Sequence, residues 1–413
     1  MLNNKPSFFS RFYFISCCVI CFAIPFASWL SFFITPLLLI VWIIERDWKN
    51  KWNRIKESQT LFIIILFAFF WFINIIGLFY SNDLLKGLDR TYHKLPFLVY
   101  PLLFFTLDKT FFTKEKISIL FKLFLAATTL MLLISWGNSL IQYVKTGDSG
   151  YFYYVYFSHY FGHPSYCSLK VCIASTIAFY FFNYRAQRLY IAIIIFFAVS
   201  IFFLQSRTGI LAFIIIALIS IFYYLHYHNK SLWYGIGGIA LFILLAVVAI
   251  IFSQNRFEEQ IKNINTEHLE ANTILGPRNE IWNAAYQLAL KHKITGIGTG
   301  YHTESYLSEK EMEIFNKNHI LINTHNQFLQ KFLEHGIGGF LALVLLIIYS
   351  FWFSIKTKNY LLLMLMIALL INIIFECMLE RTQGIFTFLF FYCLFIVKKK
   401  YLCNVNSKTI SYL

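Results

Sequence analysis

Long apolar stretches, broken by short polar ones, run through nearly the whole chain. Read with a helical window, the pattern predicts spans near residues 12–27, 29–44, 60–80, 95–107, 117–141, 165–183, 189–205, 208–226, 232–252, 337–355, 360–377 and 384–397. Most approach the roughly 20 residues that carry an α-helix across a hydrocarbon core about 30 Å thick. The fourth, LPFLVYPLLFFTL, is short and holds Pro96 and Pro101, which marks it as tilted, kinked or re-entrant. One long polar segment, 253–336, breaks the rhythm. The chain is therefore expected to be an all-α polytopic membrane protein with about twelve transmembrane helices and one large, partly helical loop. Its parts are an N-terminal bundle of about nine spans (1–252), the loop (253–336), and about three further spans with a basic tail (337–413).

Composition agrees: 59% of the 413 residues are hydrophobic, 20% are aromatic and 13% are charged, which excludes an ordinary soluble domain. Lys and Arg set the orientation. With both termini inside, nineteen of them fall in inner segments and six in short outer loops, namely Lys86, Arg90, Lys94, Lys145, Arg207 and Arg381. Basic residues favour the cytoplasmic side, so the termini are expected there and the large loop on the opposite face. The net charge of +15 is then a topology signal, and no nucleic-acid module is visible. RFYFISCCVICFAIPFASWL runs at once into another apolar stretch without a small-x-small site, so no cleavable signal peptide is expected. Cys17, Cys18, Cys21, Cys172 and Cys393 lie inside apolar runs, where cysteine serves as a small hydrophobe. Neither a disulfide framework nor a metal set follows from them.

The polar chemistry gathers on the outer face. In LQSRTGILAF, Arg207 stands at the start of a span, where the helix dipole favours a bound anion; ordinary snorkelling to headgroups is the other reading. LGPRNEIWNAAYQLALKH predicts a helix with Gly276 as N-cap, Pro277 in the first turn, and Ile281, Ala285 and Leu288 on one face. Arg278 then lies in the first turn, either binding an anion with its bidentate guanidinium or pairing with an acid such as Glu280. In INTHNQFLQKFLEHGIGG, Asn323 or Thr324 caps a helix that Gly336 ends, with Phe328, Leu329, Phe332 and Leu333 on its apolar face. His325, followed by Asn326, is expected in the first turn as a neutral imidazole, able to take a proton from a hydroxyl. Two anion-binding arginines and a base on one side suit a transferase acting on a lipid diphosphate.

Further candidates surround these. Lys86, Arg90, His93 and Lys94 share a helical face that either guides phosphates or rests on anionic headgroups. FGHPSY offers His163 and Tyr166, and ECMLERTQG offers Glu376, Glu380 and Arg381, where an internal ion pair is the expected role. ITGIGTGYH, with Gly296, Gly298 and Gly300, lacks the context of a nucleotide loop and reads as a connector that lets backbone approach a substrate. No D-x-D pair stands beside Arg207, Arg278 or His325, so no metal and no cofactor is expected.

The order SRTG, GPRNEIW, ITGIGTG and NTHNQFLQKFLEHGIGG resembles the O-antigen ligase and polymerase family of bacterial envelope proteins, best over about Gln205 to Tyr349. That resemblance implies a GT-C-type, metal-independent, inverting glycosyltransferase of the bacterial inner membrane, working on the periplasmic side. Its donor would be an undecaprenyl-diphosphate-linked glycan, bound by Arg207 and Arg278, and His325 would activate the acceptor hydroxyl. The acceptor would be lipid A-core for a ligase, the favoured reading, or another lipid-linked glycan for a polymerase. Lys86, Arg90, His163, Tyr166, Asn326 and Arg381 are expected to help bind substrate, with membrane lipids around them. The rival class is a lipid-linked oligosaccharide flippase or other transporter, which twelve spans also suit. Against it stand the scarcity of ionisable residues near span centres and the single dominant polar loop.

Overall fold

A helix that is apolar all round belongs in an interior, and one with a single polar stripe belongs at an edge. The protein, seen in a computed structural model that describes residues 8–26, 28–56, 60–108, 111–185, 188–228, 278–300 and 324–402, follows that rule. Its helices are α1 (Phe8–Phe26), α2 (Ser28–Ile44), α3 (Trp48–Lys56), α4 (Leu61–Ile76), α5 (Leu84–His93), α6 (Pro96–Thr106), α7 (Lys114–Thr146) and α8 (Tyr154–Phe157). Then come α9 (Pro164–Arg185), α10 (Arg188–Phe203), α11 (Arg207–Tyr227), α12 (Arg278–Lys291), α13 (Gln327–Lys356), α14 (Tyr360–Ile373) and α15 (Thr382–Leu402). There is no strand among the described residues.

The centre is α15, buried at every position from 384 to 397. Tyr392, Phe390 and Phe391 receive the rings of Phe67, Tyr100 and Phe124 at centroid distances of 4.9, 6.2 and 4.3 Å. Around it α1 packs on α7, α9 on α10, α11 and α14, and α4 on α6 and α13. Phe33, Ile43, Leu133, Ile195 and Ile348 on the outer helices turn apolar surface outward, as lipid-facing residues do. The all-α polytopic reading is thus correct.

Every predicted span except 232–252, which lies outside the described residues, coincides with a helix. Six of these helices, α1, α7, α9, α11, α13 and α15, are long and apolar enough to cross a membrane. The doubtful fourth span is the 11-residue α6. At about 1.5 Å per residue it reaches roughly half of the hydrocarbon thickness. It is enclosed by α2, α3, α4 and α15, with Pro96 at its first turn, where a missing N–H costs nothing.

Gly336 was expected to end a helix, and α13 does break there: His335 and Gly336 leave helical geometry, and a second helical half continues at once. A break frees carbonyls that need donors. The segment ITGIGTG supplies them. Ile297 N donates to Leu333 O and Gly298 N to Glu334 O, both at 3.0 Å, and Ile337 N donates to Lys293 O at 2.9 Å. Thr299 then reaches α4, its N–H on Gly77 O at 3.1 Å and its hydroxyl on Asn74 O at 2.8 Å. Gly296, at φ +74°, lies so close to the Glu334 backbone that any Cβ would collide with it. The backbone this segment approaches is that of the protein's own helices, which corrects the expectation of a substrate-contacting connector.

Candidate active site

His325 lies ahead of the helix rather than in its first turn. Asn326, rather than Thr324, is the N-cap of α13, its Oδ1 accepting from Phe328 N at 2.9 Å and Leu329 N at 3.0 Å; Asn323 lies outside the described residues. That task takes up the side-chain oxygen of Asn326, which was expected to meet substrate. His325 itself has φ +50°, a left-handed conformation that a β-carbon makes costly. The turn around it is tied on both sides: Thr324 Oγ1 donates to Asn326 O at 2.8 Å, and Trp282 Nε1 of α12 donates to Thr324 O at 2.9 Å.

This backbone turn sends the imidazole toward the segment between α14 and α15. His325 Nδ1 is 3.2 Å from Glu376 Oε2. The segment bearing Glu376 is pinned by Gln327, whose amide donates to Glu380 Oε1 at 2.8 Å and accepts from Leu379 N at 2.7 Å. His325 and Glu376 line a cleft of about 480 Å³ together with Trp29, His163, Tyr166, Arg381, Thr382 and Gln383. Four residues expected at the site, His325, His163, Tyr166 and Arg381, are therefore neighbours here. His163 accepts from Ser165 N through Nδ1 at 3.3 Å, which leaves the proton of a neutral ring on Nε2, 3.4 Å from Tyr154 Oη.

Arg207 is the first residue of α11 and is exposed. Ser206 caps that helix through Oγ, accepting from Gly209 N at 3.3 Å, and Gln205 before it has φ +49°. The residue sequence of left-handed turn, cap and helix start is the same at His325–Asn326–Gln327. Thr208 Oγ1 donates to Asn372 Oδ1 of α14 at 2.8 Å, one turn ahead of Glu376, and Gly209 abuts Ser168 in the first turns of α9. Arg207 is not among the cleft-lining residues, but its turn is fastened to α9, which carries Tyr166, and to α14, which leads into the segment bearing Glu376. Arg278 begins α12, one turn before Trp282, which binds Thr324 and lies 6.3 Å from the ring of Phe375. Gly276 and Pro277 lie outside the described residues.

A second polar cluster is built around the buried Lys94, Lys331, Glu334 and His335. Lys331 meets Glu334 at 2.5 Å and Glu380 at 2.8 Å, and Lys94 meets Glu380 at 2.5 Å and Asn74 Oδ1 at 2.9 Å. Arg90 approaches Glu334 at 3.5 Å, and His335 Nε2 is 3.1 Å from Asn74 Oδ1. Burial pushes the Lys94 ammonium down from its usual range, while Glu334 and Glu380 pull it back up. Lys94 thus faces inward rather than toward headgroups. Arg90, read as guiding phosphates or resting on headgroups, reaches this cluster through its guanidinium. Lys86 joins α5 at the capping turn of Asp83, whose Oδ1 accepts its N–H at 2.9 Å.

Sequence reasoning missed Trp282, Gln327, Lys331 and Glu334 as parts of the assembly. It also gave Glu376 an ion-pair role without its partner. The internal ion pair expected of the ECMLER stretch is made by Glu380, with lysines far away in sequence.

Residues 191–344 match the family model described as O-antigen ligase, which takes in the starts of α11, α12 and α13. The chain is also 26% identical over 162 residues to an uncharacterized protein of Haemophilus influenzae, a match covering 37% of this chain and 40% of that protein. The chain thus spans less than half the length of the curated relative it matches.

Proposed function

We propose that this chain, whose residues 191–344 match the family model described as O-antigen ligase, is a glycosyltransferase of that family that moves a glycan from an undecaprenyl-diphosphate-linked donor to an acceptor hydroxyl. The acceptor is lipid A-core, the transfer takes place on the periplasmic face, and the membrane is the bacterial inner membrane with both termini cytoplasmic. The observation that carries this reading is the imidazole of His325, held by a carboxylate at the edge of an open cleft, in a turn that Trp282 of the Arg278-led helix also binds.

His325 is the general base for the acceptor hydroxyl. Arg207 and Arg278 stabilise the diphosphate as it gathers charge, each at a helix start where N–H groups and the dipole act in the same sense. Attack opposite the leaving diphosphate inverts the anomeric carbon. His163, Tyr166 and Arg381 offer donors to the hydroxyl-rich acceptor, and Trp29 offers an apolar ring face. A cleft of about 480 Å³ lies within the size range of small-molecule sites. The division into a bundle, a catalytic loop and a C-terminal group of spans belongs to the same proposal.

The test is purified protein with a lipid-linked glycan donor and lipid A-core, followed by gel analysis. Joined product without any gradient supports transfer to lipid A-core. Extension of the lipid-linked glycan alone makes the protein a polymerase, and vectorial movement without covalent product makes it a carrier.

A further inference from the structure

Two acids on the segment between α14 and α15 are separated by one turn and have different partners. Glu380 is held by two buried lysines, whereas Glu376 stands in the cleft wall with its Oε2 3.2 Å from His325 Nδ1. The side chain of Glu376 is 8% exposed and that of His325 is 37% exposed, so the carboxylate is the fixed partner and the ring is the one that meets the cleft. Its fixity has a visible cause. Gln327 grips both Glu380 and the Leu379 N–H, and Lys94 and Lys331 hold Glu380, so the segment cannot swing away. On the other side, His325 occupies a left-handed backbone position that two neighbouring hydrogen bonds maintain. A strained residue held this firmly points to function.

We propose that Glu376 is the positioning residue of the transfer reaction: its carboxylate accepts from His325 Nδ1–H, so that Nε2 is the unprotonated nitrogen turned to the acceptor hydroxyl. This inference rests on the glycosyltransferase reading above. In the step, the hydroxyl oxygen bonds to the anomeric carbon and the bond from that carbon to the diphosphate oxygen breaks. The bonding pair leaves with the lipid diphosphate. The hydroxyl proton passes to His325 Nε2, and the imidazolium keeps its Nδ1–H on Glu376, whose negative charge stabilises it until the proton is lost to water. Glu376 touches neither sugar nor phosphate; it acts through the ring.

Among the described residues, the other titratable or charged groups lining the cleft are His163, Tyr166 and Arg381. None of them replaces the contact of Glu376 with Nδ1. A positive Arg381 disfavours an imidazolium, which makes the countercharge at Glu376 more needed rather than less.

Steady-state kinetics of the full-length protein test this with Glu376→Gln, Glu376→Asp, His325→Ala and the Glu376→Gln/His325→Ala double variant. Glu376→Gln is expected to lower kcat on the order of 10²- to 10⁴-fold, the range for a base deprived of its orienting carboxylate, with KM for the acceptor little changed. Loss of the carboxylate makes the imidazolium less stable, so the acid limb of the kcat profile moves to lower pH. Glu376→Asp recovers part of kcat and moves the limb back. The double variant is no slower than His325→Ala, because the two residues act as a unit. If His325→Ala stays active, the reading of the site itself fails. If His325→Ala is inactive while Glu376→Gln keeps its rate and pH profile, only the role of Glu376 fails. If Glu376→Gln does not fold, Glu376→Asp decides: an unchanged kcat and pH limb overturn the proposal, and a reduced kcat with a shifted limb sustains it.

Discussion

His325 and Glu376 meet at an open cleft, while Lys331 and Glu334 are closed off from water and pair with Glu380, which comes from the segment that also bears Glu376. The residue types are alike in the two places: carboxylates facing nitrogen bases across a gap between α13 and the segment before α15. The setting differs. In the buried cluster every carboxylate faces two or more cations, so that no charge is left to a dry interior alone. In the cleft a single carboxylate faces a half-open ring that can exchange a proton with whatever enters. The buried cluster fixes the gap between the segments, and the cleft makes use of it.

The comparison breaks if the two regions respond alike to substitution. The largest expected effect is that of His325→Gln: transfer falls about 10²- to 10⁴-fold if the ring is the base, while stability in detergent changes by less than about 0.5 kcal/mol, as for a surface position. A melting curve measured beside the rate checks both halves. Next is Lys331→Met, which leaves Glu334 and Glu380 under-compensated in a sealed site. Breaking such a cluster costs about 3–5 kcal/mol. The folded yield in membranes should drop, and the activity that remains should fall in proportion to folded protein. A stable, well-folded Lys331→Met with low turnover would move the buried cluster into the catalytic apparatus.

Much of this was legible in the sequence, and what was not has physical reasons. Apolar periodicity located the helices because lipid and core impose the same demand along every span. The arginine-led helix starts were visible because cap and dipole rules are local, read from a few neighbouring residues at Ser206–Arg207. In INTHN, three of the five residues have side chains that compete to cap, and only the folded geometry assigns the cap to Asn326 and so displaces His325 from the helix. The partners of Glu376, Glu380 and Lys94 lie on distant segments, and a single sequence leaves no periodic trace of such pairs. The glycine triplet of ITGIGTG signalled close backbone approach but not to what. The answer depended on a break in α13 whose free carbonyls can be counted only in three dimensions.

A smaller effect sharpens the cleft side of the comparison. Arg207→Lys and Arg278→Lys keep a positive charge at each helix start but lose the bidentate fork. If the arginines hold the donor diphosphate, each variant should lower transfer by roughly 10-fold or more, about 1.4 kcal/mol, and weaken donor binding with the protein still in the membrane. Near-normal rates would return Arg207 to snorkelling and Arg278 to a surface pair.

The smallest expected effect is that of chelation. A divalent cation at a diphosphate needs one or two carboxylates that can turn toward it. Among the described residues, four acids near the cleft and α5 have other partners. Glu380 is shared by Lys94 and Lys331, Glu376 faces His325, Asp83 caps α5 through the Lys86 N–H, and Asp89 lies 3.5 Å from His93. To take a metal, Glu380 would have to leave two buried ammonium groups uncompensated, and Glu376 would have to give up its contact with His325. On the proposed reading, the arginines at the starts of α11 and α12 would offer the diphosphate positive charge without either loss. Transfer by purified protein is therefore expected to be the same after exhaustive EDTA treatment as with added Mg²⁺ or Mn²⁺. Activity lost on chelation and restored by metal would show that one of these carboxylates changes partner during the reaction. Glu376, at the boundary between sealed and open, would be the first to examine by substitution.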